Sequence, residues 1–194
     1  MILILILLFV VLFSHFYGDI ALYFNLQRAK ITDYSYLTNE IKILCNKSRY
    51  KYNNIVFVFN SKSKAFHSGI FGQGKVILKT SILNYNTDEA IAIIAHEIGH
   101  AKKRHNLIKT LFLCKFITAI YFVFSFELRN IIYCFVIVLV YYFFVKTLRF
   151  YQELSADAYS MEITGNNGIN RVVRRLNKIN RTFMNRYRIY MTND

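Results

Sequence analysis

The stretch Asn86-Thr87-Asp88-Glu89-Ala90-Ile91-Ala92-Ile93-Ile94-Ala95-His96-Glu97-Ile98-Gly99-His100 decides how the rest of the chain is read. It opens with the chemistry of a helix start. Asn86 or Thr87 can cap the first turn, and Glu89 stands three residues after Asn86, as a capping box requires. A helix is therefore expected from about Asp88 past His100. Ile91, Ala92, Ile93, Ile94, Ala95 and Ile98 make it apolar almost all round, which is the pattern of a buried helix. Four residues turn a helix by about 400°, so His96 and His100 leave nearly one face and can meet one ion. Neutral imidazole nitrogens suit Zn²⁺, and Glu97 is placed to take a proton from a water molecule activated by such an ion. With 5 His in 194 residues and Glu almost as scarce, this spacing arises by chance with a probability of about 0.4%.

A hydrolytic zinc site keeps three protein ligands and leaves a fourth position for water, so a third ligand must lie elsewhere. The candidates downstream are His105, Glu127, Glu153, Asp157 and Glu162. His105, five residues past His100, falls off the shared face and reads as an exposed polar residue beside Lys102-Lys103-Arg104. Glu127 sits at the tip of an apolar hairpin, which a full crossing would put across a membrane. Glu153 is the best choice. Asp157 follows one turn later, where it can accept a hydrogen bond from a ligand imidazole.

Leu107 to Phe126 and Leu128 to Val145 are two apolar stretches, and they suggest a hydrophobic helical hairpin over 107–145 between the two ligand-bearing segments, either spanning with Lys109 and Lys115 snorkelling to the headgroups or shallow and re-entrant. The hairpin lets His100 and Glu153 meet, because two crossings return the chain to the side it left. Lys102, Lys103, Arg104, Lys109, Lys146 and Arg149 outnumber Arg129 at its tip, so the positive-inside rule puts the site on the cytoplasmic side. Met1 to Tyr17 carries no charge and as a helix would rise about 25 Å. It is expected to be part of an N-terminal membrane anchor over residues 1–24, with one domain over 25–194. The chain is 55% hydrophobic and 17% aromatic, which excludes intrinsic disorder and favours an integral, multi-pass membrane protein in contact with the lipid bilayer.

The remaining segments read as scaffold. Ser35 to Asn46, with Leu37, Ile41, Ile43 and Leu44, has a helical pattern. Ile55 to Phe59 and Lys75 to Leu83 read as strands of a small sheet, with Gly69, Gly72 and Gly74 forming a flexible turn between them. The second of these strands could either pair with an extended peptide or lie inside the sheet. Val172, Val173, Leu176 and Ile179 give the tail a helical stripe, and Arg181 to Tyr190 suits anionic lipid or an oxyanion. Cys45, Cys114 and Cys134 are odd in number and lack a C-x-x-C spacing, so they support neither a disulfide framework nor a cysteine metal knuckle. The net charge of +14 allows a rival reading, a non-catalytic membrane protein with a basic cytoplasmic interaction surface. No nucleic-acid fold motif is visible, so no nucleic-acid partner is expected.

Three separated blocks resemble the membrane-bound zinc metallopeptidases that include the heat-shock protease HtpX and the CaaX prenyl proteases. Lys64-Ala65-Phe66-His67-Ser68-Gly69 with the strand after it is similar to that family's Asn-Ala-Phe/Tyr segment, although Lys64 replaces the usual Asn. His96-Glu97-Ile98-Gly99-His100, ending in His105, resembles its zinc helix, and Glu153-Leu154-Ser155-Ala156-Asp157-Ala158-Tyr159 its third-ligand helix. The resemblance implies one Zn²⁺ per chain held by His96, His100 and Glu153, with Glu97 as general base and acid and Asp157 as the supporting carboxylate. It implies a mostly helical α+β metallopeptidase domain with a small β-sheet, and an endopeptidase acting on membrane-associated or misfolded proteins or peptides.

Overall fold

The computed structural model of the chain describes residues 35–58, 65–68, 74–125, 131–165 and 168–177. The expected anchor over 1–24, the turn residues Gly69 and Gly72, the hairpin tip with Glu127 and Arg129, and the tail residues Arg181 to Tyr190 lie outside these.

Helix α1 spans Ser35–Ser48, and Leu37, Ile41, Leu44, Cys45 and Ser48 recur on it at intervals that bury one stripe. Ile43 falls off that stripe and stays 59% exposed. The chain then turns through Arg49 at φ +50°, and the buried Tyr50 donates its hydroxyl to the Gly74 carbonyl at 3.0 Å.

Strands β1 (Ile55–Val58), β2 (Ala65–Ser68) and β3 (Lys75–Lys79) form one sheet in the order β1-β3-β2. The central strand β3 is parallel to β1, with Ile55 opposite Val76, and antiparallel to β2, with Ala65 opposite Leu78. Two expectations change here, and one open alternative is decided. Ala65–Ser68 is a strand and not part of the turn; all four of its residues are half-buried, so it carries no alternating signal. The strand from Lys75 stops at Lys79, because Thr80–Asn84 tightens into a 3₁₀ turn that tucks Ile82 fully into the core. And β3 has both edges occupied, so it is an internal strand and cannot receive a peptide. Gly74 has φ +63°, and a Cβ there would fall 2.5 Å from the Ser68 carbonyl and closer still to the His67 ring. Only glycine lets β3 begin so near β2.

Helix α2 spans Thr87–Lys102 and starts as expected, with the Asn86 side chain accepting from the Glu89 N–H at 2.9 Å. Its Ile94 and Ile98 are fully buried among Leu37 and Ile41 of α1, Val76 and Leu78 of β3, and Ile82. Each of these side chains contributes roughly 1.5–3 kcal/mol by leaving water, so α2 is the axis on which the domain is assembled.

Helices α3 (His105–Ser125) and α4 (Ile131–Thr164) run antiparallel, with Phe112 against Phe144 at 4.6 Å and Phe116 stacked on Tyr141 at 3.8 Å between ring centres. Leu111, Val138, Val140, Tyr142 and Phe143 remain exposed on this pair. Among the described residues no helix is long and apolar enough to cross a membrane. The uncharged run of α4 ahead of Lys146 rises only about 22 Å, and Lys109 and Lys115 interrupt α3. A short helix α5 (Gly168–Asn177) buries Ile169 and Val172, and its Arg171 meets Asp88 at 2.8 Å in an exposed ion pair of little energetic weight. The fold is α+β, mostly helical, with one three-stranded sheet.

Candidate metal centre

Two helices supply the centre, His96 and His100 from α2 and Glu153 and Asp157 from α4. They can approach because Gly99 presents no side chain to α4. A Cβ on Gly99 would lie 3.2 Å from the Ala156 Cα and 3.2 Å from the Tyr159 Cβ. One turn further along, the buried Ser160 hydroxyl donates to the Ala92 carbonyl at 2.7 Å, pinning α4 to α2.

The approach brings the donor atoms together. His96 Nε2 and His100 Nε2 are 3.1 Å apart, Glu153 Oε2 is 3.6 Å from His96 Nε2, and Glu153 Oε1 is 3.9 Å from His100 Nε2. One ligand atom from each residue falls within a 4.8 Å cluster. A tetrahedral ion with bonds of about 2.05 Å separates its ligands by roughly 3.3 Å, so the spacing suits Zn²⁺. Two imidazole nitrogens so close cannot both point bare lone pairs at each other; they need a proton or a cation between them. On the far side of His96, Asp157 is 1% exposed and its Oδ1 lies 2.6 Å from Nδ1, which fixes that ring with Nε2 toward the cluster.

The electrostatics agree. Burial works against a charge on His96, but contact with Asp157 and then Glu153 outweighs it and raises the imidazole pKa far above the usual range. Burial and the neighbouring His96 push His100 far below it. Glu97 is partly buried, and burial raises its carboxyl pKa, while His96 and a hydrogen bond from the His67 backbone pull it down. Glu97 therefore faces β2, the sheet edge that packs on α2.

His105 departs from its sequence reading. It is 4% exposed, and its Nδ1 lies 2.7 Å from His100 Nδ1 with the rings edge to face at 80°. The reason is that α2 ends at Lys102, Arg104 adopts φ +53°, and His105 opens α3 in a new direction. Residues of α4 hold this corner: Gln152 Nε2 donates to the His105 carbonyl at 3.2 Å, and Lys103 Nζ to the Ser155 carbonyl at 2.8 Å. The cationic run Lys102-Lys103-Arg104 was the available signal, since such residues gather where a helix ends. Asn106 carries the corner onward to β2, its Nδ2 lying 3.2 Å from His67 Nδ1. Glu162 is exposed further along α4 and takes no part in the cluster, and Glu127 is outside the described residues.

The family model described as peptidase family M48 matches residues 33–188, a span that holds the sheet, the paired histidines and the Glu153 helix. No curated protein and no solved structure matches the chain. With four-fifths of its length inside that match, the chain belongs to peptidase family M48.

Proposed function

We propose that this chain is a zinc-dependent endopeptidase of the membrane surface, with His96, His100 and Glu153 as ligands, Asp157 orienting His96, and Glu97 as general base and acid. The observation that carries the reading is the convergence of two imidazoles and one carboxylate, from helices more than 50 residues apart, into one 4.8 Å cluster beside Glu97. Bound zinc would supply the acidification of water and the polarisation of the scissile carbonyl. Glu97 takes the proton that water loses as it adds to the carbonyl carbon, and returns it to the amide nitrogen as the C–N bond breaks. No covalent intermediate with the protein is required. The substrate strand is proposed to align along β2, which is an edge strand among the described residues and whose His67 backbone bonds Glu97.

The bare apolar surface of α3 and α4, including Leu111, Val138, Val140 and Phe143, supports seating the hairpin in lipid. Glu153 lies eight residues beyond Val145, about 12 Å of helix, so the site would stand close to the bilayer. The excess of Lys and Arg at the hairpin base supports a cytoplasmic site, and membrane-associated or misfolded proteins are the proposed substrates.

The test is metal analysis of detergent-purified protein together with cleavage of an unfolded membrane substrate by the wild type and Glu97→Gln. One zinc per chain and cleavage by the wild type alone are expected. A folded sample without metal, or equal cleavage by both, overturns the proposal.

A further inference from the structure

The two histidines of the candidate centre are backed by different chemistry. Behind His96 stands a carboxylate, Asp157, at 2.6 Å; behind His100 stands a third imidazole, His105, at 2.7 Å. That second contact is shorter than the 3.1 Å between the Nε2 atoms of His96 and His100.

Hydrogen-bond bookkeeping assigns a direction to it. If His100 Nε2 gives its lone pair to a cation shared with His96 and Glu153, its proton must sit on Nδ1. That N–H points at His105 Nδ1, which has to accept and so carries no proton. A neutral His105 then has its proton on Nε2, which lies 3.2 Å from Ser155 Oγ. Ser155 accepts there and can donate its own hydroxyl proton to the Gln152 carbonyl at 3.0 Å. Every link has one donor and one acceptor, and the chain ends on a carbonyl that needs no further partner. The opposite polarity puts two N–H groups face to face at 2.7 Å.

We infer that His105 is a positioning residue for the metal: as a neutral Nε2–H imidazole, supported by Ser155, it accepts from His100 Nδ1–H and locks that ligand in its metal-binding tautomer and orientation. This rests on His96, His100 and Glu153 being a zinc site. It separates two devices in one centre. Asp157 orients His96 and adds a negative charge, whereas His105 orients His100 and adds none, leaving more of the cation's charge for its substrate.

The experiment compares the zinc dissociation constants of the wild type, His105→Phe and His105→Asn, by competition with a chromophoric chelator in detergent, with circular dichroism of each metal-free protein as the folding control. His105→Phe keeps the volume and removes the acceptor, so zinc binding should weaken about 10- to 100-fold. His105→Asn offers a carbonyl oxygen near the former Nδ1 position and should recover most of that loss. In the zinc-loaded wild type, ¹⁵N spectra of the imidazoles should report His105 as the Nε2–H tautomer and His100 as Nδ1–H. Unchanged affinity in a folded His105→Phe, equal losses in the two variants, or a His105 protonated on Nδ1 overturns the inference. Should His105→Phe fail to fold, the wild-type spectra decide. A wild type that takes up no zinc overturns the functional reading itself, whereas zinc uptake with an indifferent residue 105 overturns only this step.

Discussion

Gly99 of α2 faces Ala156 of α4 so closely that a methyl group on it would stand 3.2 Å from the Ala156 Cα. The neighbour is backbone and cannot swing aside, so any side chain at 99 has to part the two helices. Gly99→Leu should therefore cost about 1–3 kcal/mol or more by overpacking. It should also weaken zinc binding, because Glu153 and Asp157 retreat with α4. Thermal unfolding and a zinc titration of the variant check this; native-like values for both would contradict the packing described.

Glu97 is next to His96 but does not join the donor cluster, so its loss should leave metal content intact and remove turnover. Glu97→Gln is expected to retain one zinc per chain while cleavage falls about 10²- to 10⁴-fold, the usual share of a general base. Parallel metal analysis and peptide-cleavage rates read the two quantities separately.

Glu153→Ala removes one of the three donors and should abolish stoichiometric zinc binding at neutral pH. Asp157→Ala leaves the donors and releases the His96 ring, so the expected loss is about 10- to 100-fold in affinity. Chelator treatment of the wild type should abolish cleavage, and added zinc should restore it. An Asp157→Ala protein as tight as the wild type would argue that the 2.6 Å contact has no orienting role.

Val140 points outward from the hairpin and Glu162 lies on the exposed face of α4 beyond the site. In liposomes a cysteine replacing Val140 should react slowly with a charged maleimide, and one replacing Glu162 quickly. Detergent and denaturant together should erase the difference. Equal rates in intact liposomes would count against lipid around the hairpin.

Cys45 is buried on α1, and burial pushes its thiol up to about 11. The unfolded chain loses that proton nearer the ordinary thiol range, so above it the unfolded state binds fewer protons and stability falls with rising pH. The contribution is complete below about pH 8 and is lost progressively toward pH 11. Thermal midpoints measured across this window should decline for the wild type and decline less for Cys45→Val, which keeps an apolar side chain in place.

Much of the centre was legible because it rests on local rules. The cap at Asn86, the spacing of His96 and His100, and the Glu153-to-Asp157 step all follow from one helical period, and those four side chains do converge. What was misread depends on where a period stops. His105 looked exposed only on the assumption that α2 continued past Lys102; the corner at Arg104 turns it back onto His100. Ala65–Ser68 escaped as a strand because its half-buried residues lack alternation, and Lys75 to Leu83 appeared too long because Ile82 is apolar for the sake of a turn. The role of β3 was settled by strand order, which no single strand encodes.

From Ile131 to Thr164, α4 is one unbroken rod about 50 Å long, with aromatic pairs at one end and Glu153 and Asp157 toward the other. It has no joint at which the two halves could move independently. Were the hairpin seated in lipid as proposed, tilting it would swing a carboxylate toward or away from the paired imidazoles, and the thickness or tension of the bilayer would become a mechanical input to the proposed chemistry.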